Sequence, residues 1–129
     1  MIYLGIDCGT QSTKTVALDA DSGSIIASAA QSYDVLPGLP PGHMEQDPAT
    51  WAEATDETIR QVVEKLGARR DEIRGIGVSG QQHGFVPLDK TGRVIRPAKL
   101  WCDTSTAEEC DLVRAHFGGA LNRLEDLYF

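Results

Sequence analysis

Asp7, Gly9, Thr10 and Lys14 fall within one short stretch, Asp7-Cys8-Gly9-Thr10-Gln11-Ser12-Thr13-Lys14, which offers a carboxylate, hydroxyls, an ammonium and a pliable backbone. This set suits a phosphate, because backbone amides around Gly9 and Thr10 can face an anion while the lysine supplies positive charge. The runs on either side, Ile2-Tyr3-Leu4-Gly5-Ile6 and Thr15-Val16-Ala17-Leu18, are β-branched or aliphatic and of strand length. The polar stretch therefore reads as a strand-to-strand connection. A hairpin that only reverses the chain needs a turn-former such as Asn-Gly, and has no use for a carboxylate leaving one strand and a lysine beginning the next. No histidine adjoins Thr10, Ser12 or Thr13, so a nucleophilic triad is not indicated.

Two further groups can contact a polar ligand. Gln81-Gln82-His83-Gly84 follows an apolar run, and ligands collect past the carboxyl ends of strands in α/β sheets. Two amides and an imidazole can hydrogen-bond several hydroxyls of a polyol; a lone histidine is also commonly structural, and both readings stand. Trp101 and Asp103 form the third group. A core tryptophan with a helix-capping aspartate is what their spacing favours, and Trp101 stacked on a sugar's C–H face with Asp103 accepting a hydroxyl is the other reading. Gly75-Ile76-Gly77-Val78-Ser79-Gly80 matches Gly-x-Gly-x-x-Gly, but its glycines alternate with Ile76 and Val78 and no helix follows. The dinucleotide fingerprint requires a helix N-terminus at that point, so close backbone approach is the expected explanation.

These groups must be held by a definite set of elements. After the hairpin, Asp19-Ala20-Asp21-Ser22-Gly23 predicts a turn and Ser24 to Ala30 a third strand, giving an antiparallel meander. Prolines and glycines from Leu36 to Gly42 exclude ladder and helix alike. Asp47 as N-cap and Pro48 at the first helical position start a helix that runs to Gly67, with Trp51, Thr55, Ile59, Val62, Val63 and Leu66 as the face toward the sheet and Trp51 in the core. Ile73–Ser79 and Phe85–Leu88 read as strands, with a turn at 89–93 before Val94-Ile95. Ser105 and Glu108 have capping-box spacing ahead of a second helix, whose stripe of Cys110, Val113 and Phe117 stops at Gly118-Gly119. The strand after the long helix is expected to pair in parallel, which makes the fold α/β with a mixed sheet.

At 129 residues with 41% hydrophobic composition, the chain suits one domain with its own core. A net charge of −7 disfavours nucleic acid and anionic membrane as partners. No apolar run reaches membrane length and no leader is evident, so the cytoplasm is the expected location. Cys8, Cys102 and Cys110 have neither disulfide-framework nor zinc spacing. Residues 124–129 resemble the front of a protease-cleavable purification tag, which would end the natural sequence near Arg123; a native amphipathic tail is the other reading.

Taken together, the motifs resemble the FGGY carbohydrate kinases, within the actin, Hsp70 and hexokinase superfamily. Asp7-x-Gly9-Thr10-x-x-x-Lys14 is similar to that superfamily's first phosphate-binding hairpin. Glu45-Gln46-Asp47-Pro48-x-x-Trp51, Gly80-Gln81-x-His83-Gly84 and Leu100-Trp101-x-Asp103 narrow the resemblance to the members that act on D-xylulose. In that pattern Gln82 stands where a methionine is usual, and Cys102 and Thr104 replace the asparagine and arginine that flank the aspartate. The resemblance implies a ribonuclease H-like, actin-type ATPase fold, with residues 1–123 forming part of the N-terminal sugar-binding domain. It implies ATP-dependent phosphorylation of D-xylulose with Mg2+, Asp7 acting at the γ-phosphate and metal, Gly9, Thr10 and Lys14 at the phosphoryl group, and Gln82, His83, Trp101 and Asp103 at the sugar. Family members are several times longer and carry the nucleotide pocket and the aspartate base in a second domain, so this chain alone is expected to be inactive. Its uncovered sheet edges could then pair two copies as a homodimer. Kinases for gluconate, ribulose or glycerol are the nearest rivals, although glycerol-type enzymes carry an Arg-Glu pair at 81–84. A non-catalytic actin-like ATP-binding module and an inert folding module are the others.

Overall fold

The computed structural model describes residues 1–117; the Gly118-Gly119 helix stop and residues 124–129 lie outside the described residues. Strands β1 (Ile2–Cys8), β2 (Ser12–Asp19) and β3 (Ser24–Ser32) form the expected meander. A two-residue strand β4 (Glu45–Gln46) precedes helix α1 (Pro48–Leu66), and a 3-10 turn at Gly67–Glu72 leads into β5 (Ile73–Gly80). β6 (Ala98–Lys99) and helix α2 (Ala107–Phe117) complete the order. The main sheet is ordered β3-β2-β1-β5, with β5 parallel to β1 and the other pairs antiparallel.

Alternation along the strands decides which face is covered. Ile2, Leu4, Thr13, Thr15, Ala17, Ala27 and Ala29 point to one face and are buried beneath α1, which lies over β2 and β3. The alanines let the helix approach closely. Asp47 caps α1 by accepting from the Ala49 amide at 2.9 Å, and Gly67 ends it at φ 55°, in the left-handed region that glycine tolerates. The fully buried residues of α1 are Ala54, Thr58, Val62 and Leu66; Val62 and Leu66 were expected, while Ala54 and Thr58 were not, and Trp51, Thr55, Ile59 and Val63 are half-buried. Thr58 lies at the centre of the contact, where its hydroxyl meets that of Thr15 at 2.8 Å, and Ile59 packs against the core beside it.

Three other expectations are corrected. Phe85–Leu88 and Val94-Ile95 do not form strands; they make only isolated bridges, Phe85 to Lys99 and Leu88 to Val94, because Pro87 and Pro97 interrupt the ladder. Trp51 is half-buried at the edge of the core, with its ring nitrogen committed to Gln46 at 2.9 Å. The capping box of α2 is not made, since the Ser105 hydroxyl donates to Asp103. The glycines at 75 and 77 do lie inside β5. A Cβ on Gly75 would make only an ordinary contact with the Tyr3 ring, at 3.4 Å, and one on Gly77 would meet nothing, so the expected close backbone approach accounts for neither.

Candidate functional site

Strand register makes Asp7 and Lys14 direct cross-strand partners, and parity sends both to the face opposite α1. Gly5 and Gly77 flank them without side chains. The result is a hollow of about 430 Å3 over the sheet, bordered by Gly5, Asp7, Lys14, Gly77 and Ser79. A carboxylate and an ammonium at the rim of an open hollow can meet a polyanion and its counter-ion.

The hairpin tip is fastened from the opposite side. Tyr33 Oη donates to the Gly9 carbonyl at 2.7 Å, Gln46 Nε2 to the Thr10 carbonyl at 2.7 Å, and the Tyr33 amide to the Gln11 carbonyl at 3.0 Å. Burial pushes the Tyr33 hydroxyl up to about 12, so it remains a donor. Gln46, on β4, is only 1% exposed and was seen in the sequence only as part of a motif. Nothing in local spacing marks Tyr33, which reaches the tip because Ser32, the last residue of β3, pairs with Ser12 and so places Tyr33 opposite Gln11.

Beside the tip lies a second hollow of about 260 Å3, lined by Gln81, Gln82, His83 and Trp101. Trp101 is 61% exposed, against the core placement its spacing favoured. Its Nε1 donates to Thr10 Oγ1 at 3.1 Å. Thr10 in turn donates to Gln81 Oε1 at 3.1 Å, leaving Gln81 Nε2 buried without a partner among the described residues. Thr10 Oγ1 accepts from the indole and gives its own proton to Gln81 Oε1, which leaves the Gln81 NH2 aimed away from Thr10. Gln82 and His83 are exposed, and His83 holds φ 57°, a left-handed conformation that a non-glycine residue keeps only at some cost.

Asp103 is turned inward, its side chain 3% exposed. It accepts from the amides of Met44 (2.8 Å) and Ser105 (3.0 Å), from Ser105 Oγ (2.5 Å) and from Lys99 Nζ (3.2 Å). Burial raises its carboxyl, but these donors outweigh burial and hold it far below the usual carboxylate range. Lys99 also reaches Glu45, which pairs with Arg96. No cluster of three or more metal-ligating side chains occurs among the described residues.

Residues 2–124 match the model of the N-terminal domain of the FGGY family of carbohydrate kinases. The chain belongs to this family. It is 38% identical to a xylulose kinase of Haemophilus influenzae over 98% of its own length and 26% of that protein's. It is 45% identical to a xylulose kinase of Arthrobacter, over 82% of this chain and 98% of that sequence. The fold superposes on the crystal structure of xylulose kinase from Rhodospirillum rubrum with a TM-score of 0.86 at 26% identity, covering 94% of this chain and 24% of that one. The chain thus spans about a quarter of the length of most of the curated relatives it matches. As an FGGY kinase segment it keeps the actin-like α/β arrangement, and its hairpin and groove occupy one end of the sheet. Among the described residues no helix is long and apolar enough to cross a membrane.

Proposed function

We propose that this chain is the N-terminal portion of a cytoplasmic, ATP-dependent kinase that phosphorylates D-xylulose to D-xylulose 5-phosphate. The observation that carries the reading is the pair of hydrogen bonds at the Thr10 hydroxyl, one accepted from Trp101 and one donated to Gln81. Trp101 and Gln81, from the groove, both hold the hydroxyl at the tip of the hairpin, so a ligand in the groove lies next to a phosphate held by the hairpin. In this reading His83 and Gln82 offer donors to the sugar hydroxyls, the unpartnered Gln81 Nε2 offers another, and exposed Trp101 supplies an apolar face. Lys14 and the tip amides neutralise charge on the phosphoryl oxygens, which is where most of the catalytic effect in phosphoryl transfer arises.

Mg2+ fits this surface, since it commonly binds through one or two carboxylates plus substrate phosphates and water, and Asp7 presents one carboxylate beside the hollow. When bound it would neutralise phosphate charge. Asp7 would hold it, with Lys14 orienting the phosphate from the adjacent strand. The inward bonds of Asp103 give it a supporting part in this chain: it fastens the Gly42–Met44 loop and the Lys99–Ser105 segment beneath Trp101.

The test is made in the full-length protein that contains this chain. Asp7→Asn should lower kcat by about 10²-fold or more while the dissociation constant for D-xylulose, read from tryptophan fluorescence, stays within about twofold. An unchanged kcat would sink the phosphate assignment. Turnover on a panel of D-xylulose, ribulose, gluconate and glycerol decides the substrate, and preference for any of the last three overturns the xylulose reading.

A further inference from the structure

We infer that Tyr33 and Gln46 are positioning residues of the hairpin tip: by holding the Gly9 and Thr10 carbonyls toward α1, they turn the Thr10 and Gln11 N–H groups toward the face that carries Asp7 and Lys14. The inference rests on the phosphate reading of that hairpin. In a planar trans peptide the C=O of one residue and the N–H of the next point in opposite directions, and the described chain has no cis bonds. Tyr33 Oη and Gln46 Nε2 reach the two carbonyls from the helix-covered side, where Tyr33 also meets buried Thr13 at 3.1 Å and Gln46 is itself buried. The two following N–H groups therefore face the open side. Among the described hydrogen bonds neither the Thr10 nor the Gln11 amide donates to anything in the protein, whereas the Gly9 amide just before them donates to the Ser12 carbonyl at 3.0 Å.

The Gln46 amide cannot serve equally well in either orientation. Trp51 Nε1, a donor only, bonds to its oxygen at 2.9 Å, which forces Nε2 toward the Thr10 carbonyl, with a further contact to the Asp34 carbonyl at 3.3 Å. Trp51 thus reaches the tip through Gln46. This assigns a task to the Gln46 and Trp51 of the same motif that also caps α1.

The experiment uses the full-length protein with Asp7→Asn, Tyr33→Phe, Gln46→Glu and Trp51→Phe made separately. For each, kcat, the KM for D-xylulose, the thermal midpoint and calorimetric Kd values for ADP and for the non-hydrolysable ATP analogue AMP-PNP are measured. Tyr33→Phe and Gln46→Glu should each lower kcat about tenfold and weaken AMP-PNP relative to ADP by a similar factor, because only AMP-PNP carries the terminal phosphoryl group. Trp51→Phe should give a smaller change of the same kind, with KM for D-xylulose unchanged throughout. If Asp7→Asn abolishes turnover but Tyr33→Phe and Gln46→Glu leave kcat and the AMP-PNP to ADP ratio unaltered, the inference falls and the phosphate reading stands. If Asp7→Asn is also silent, the phosphate reading falls and takes the inference with it. Losses of sugar affinity and thermal midpoint that parallel the loss of kcat would mean a merely structural role and overturn the inference. Should Gln46→Glu fail to fold, Tyr33→Phe and Trp51→Phe decide.

Discussion

Both carboxylate oxygens of Asp103 are occupied inside the protein, and this sets a pH dependence. Its folded-state pKa is depressed below the unfolded value of about 3.9, so its contribution to stability is fully present above that value and is lost as pH falls through it toward the depressed one. Asp103→Asn should therefore flatten the acid limb of the stability curve between about pH 4 and 2 in urea titrations, while an unchanged slope there would show that other carboxylates govern it. His83 behaves differently, because it makes no hydrogen bond to the protein among the described residues and sits in the left-handed region. Replacing it with glycine relieves backbone strain and removes the imidazole. His83→Gly is expected to leave the thermal midpoint level or slightly higher, yet raise KM for D-xylulose by about tenfold if one hydrogen bond to a buried ligand is lost. A KM equal to wild type would remove His83 from the sugar site.

At the scale of elements, the contact between α1 and the sheet depends on one polar pair in an otherwise apolar layer. Thr58 Oγ1 donates to the Thr55 carbonyl at 3.1 Å and accepts from Thr15 at 2.8 Å. The two hydroxyls are consequently unequal. Thr58→Val leaves the buried Thr15 donor without an acceptor and should cost about 1–3 kcal/mol, whereas Thr15→Val leaves Thr58 bonded to its own helix and should cost less. The double variant should recover much of the loss in chemical denaturation; strict additivity would contradict this account. The sequence showed α1 itself clearly, through Asp47, Pro48 and Gly67, because caps act locally. It found Val62 and Leu66 on the buried face but missed Thr58, since apolar periodicity cannot register a threonine pair formed between segments far apart in the chain.

For the whole molecule, the decisive feature is the part of the sheet that α1 does not cover. Ile76 and Val78 on β5 share the face of Leu4 and Ile6 but lie beyond the helix, with Val78 72% exposed, and α2 carries no buried residue. An exposed apolar edge strand invites pairing. The isolated chain should self-associate in sedimentation velocity, and Val78→Lys should shift it toward monomer; a monomeric wild-type chain would refute this. The four strands of the main sheet, the capped helix, the hairpin and the family were readable from the sequence, because each depends on neighbours in the chain: alternation, caps, turn residues and short motifs. The partners of those residues were not readable. That Tyr33 holds Gly9, that Gln46 holds Thr10, that Thr10 joins Gln81 and Trp101, and that Asp103 faces inward all follow from contacts between segments far apart in the chain. Such contacts are set by register and by the angle at which α1 and the β4–β6 ribbon meet the hairpin, quantities that no local pattern encodes. Local pattern is enough to name the chemistry this chain carries; long-range packing sets which of those groups face a ligand and which hold the others in place.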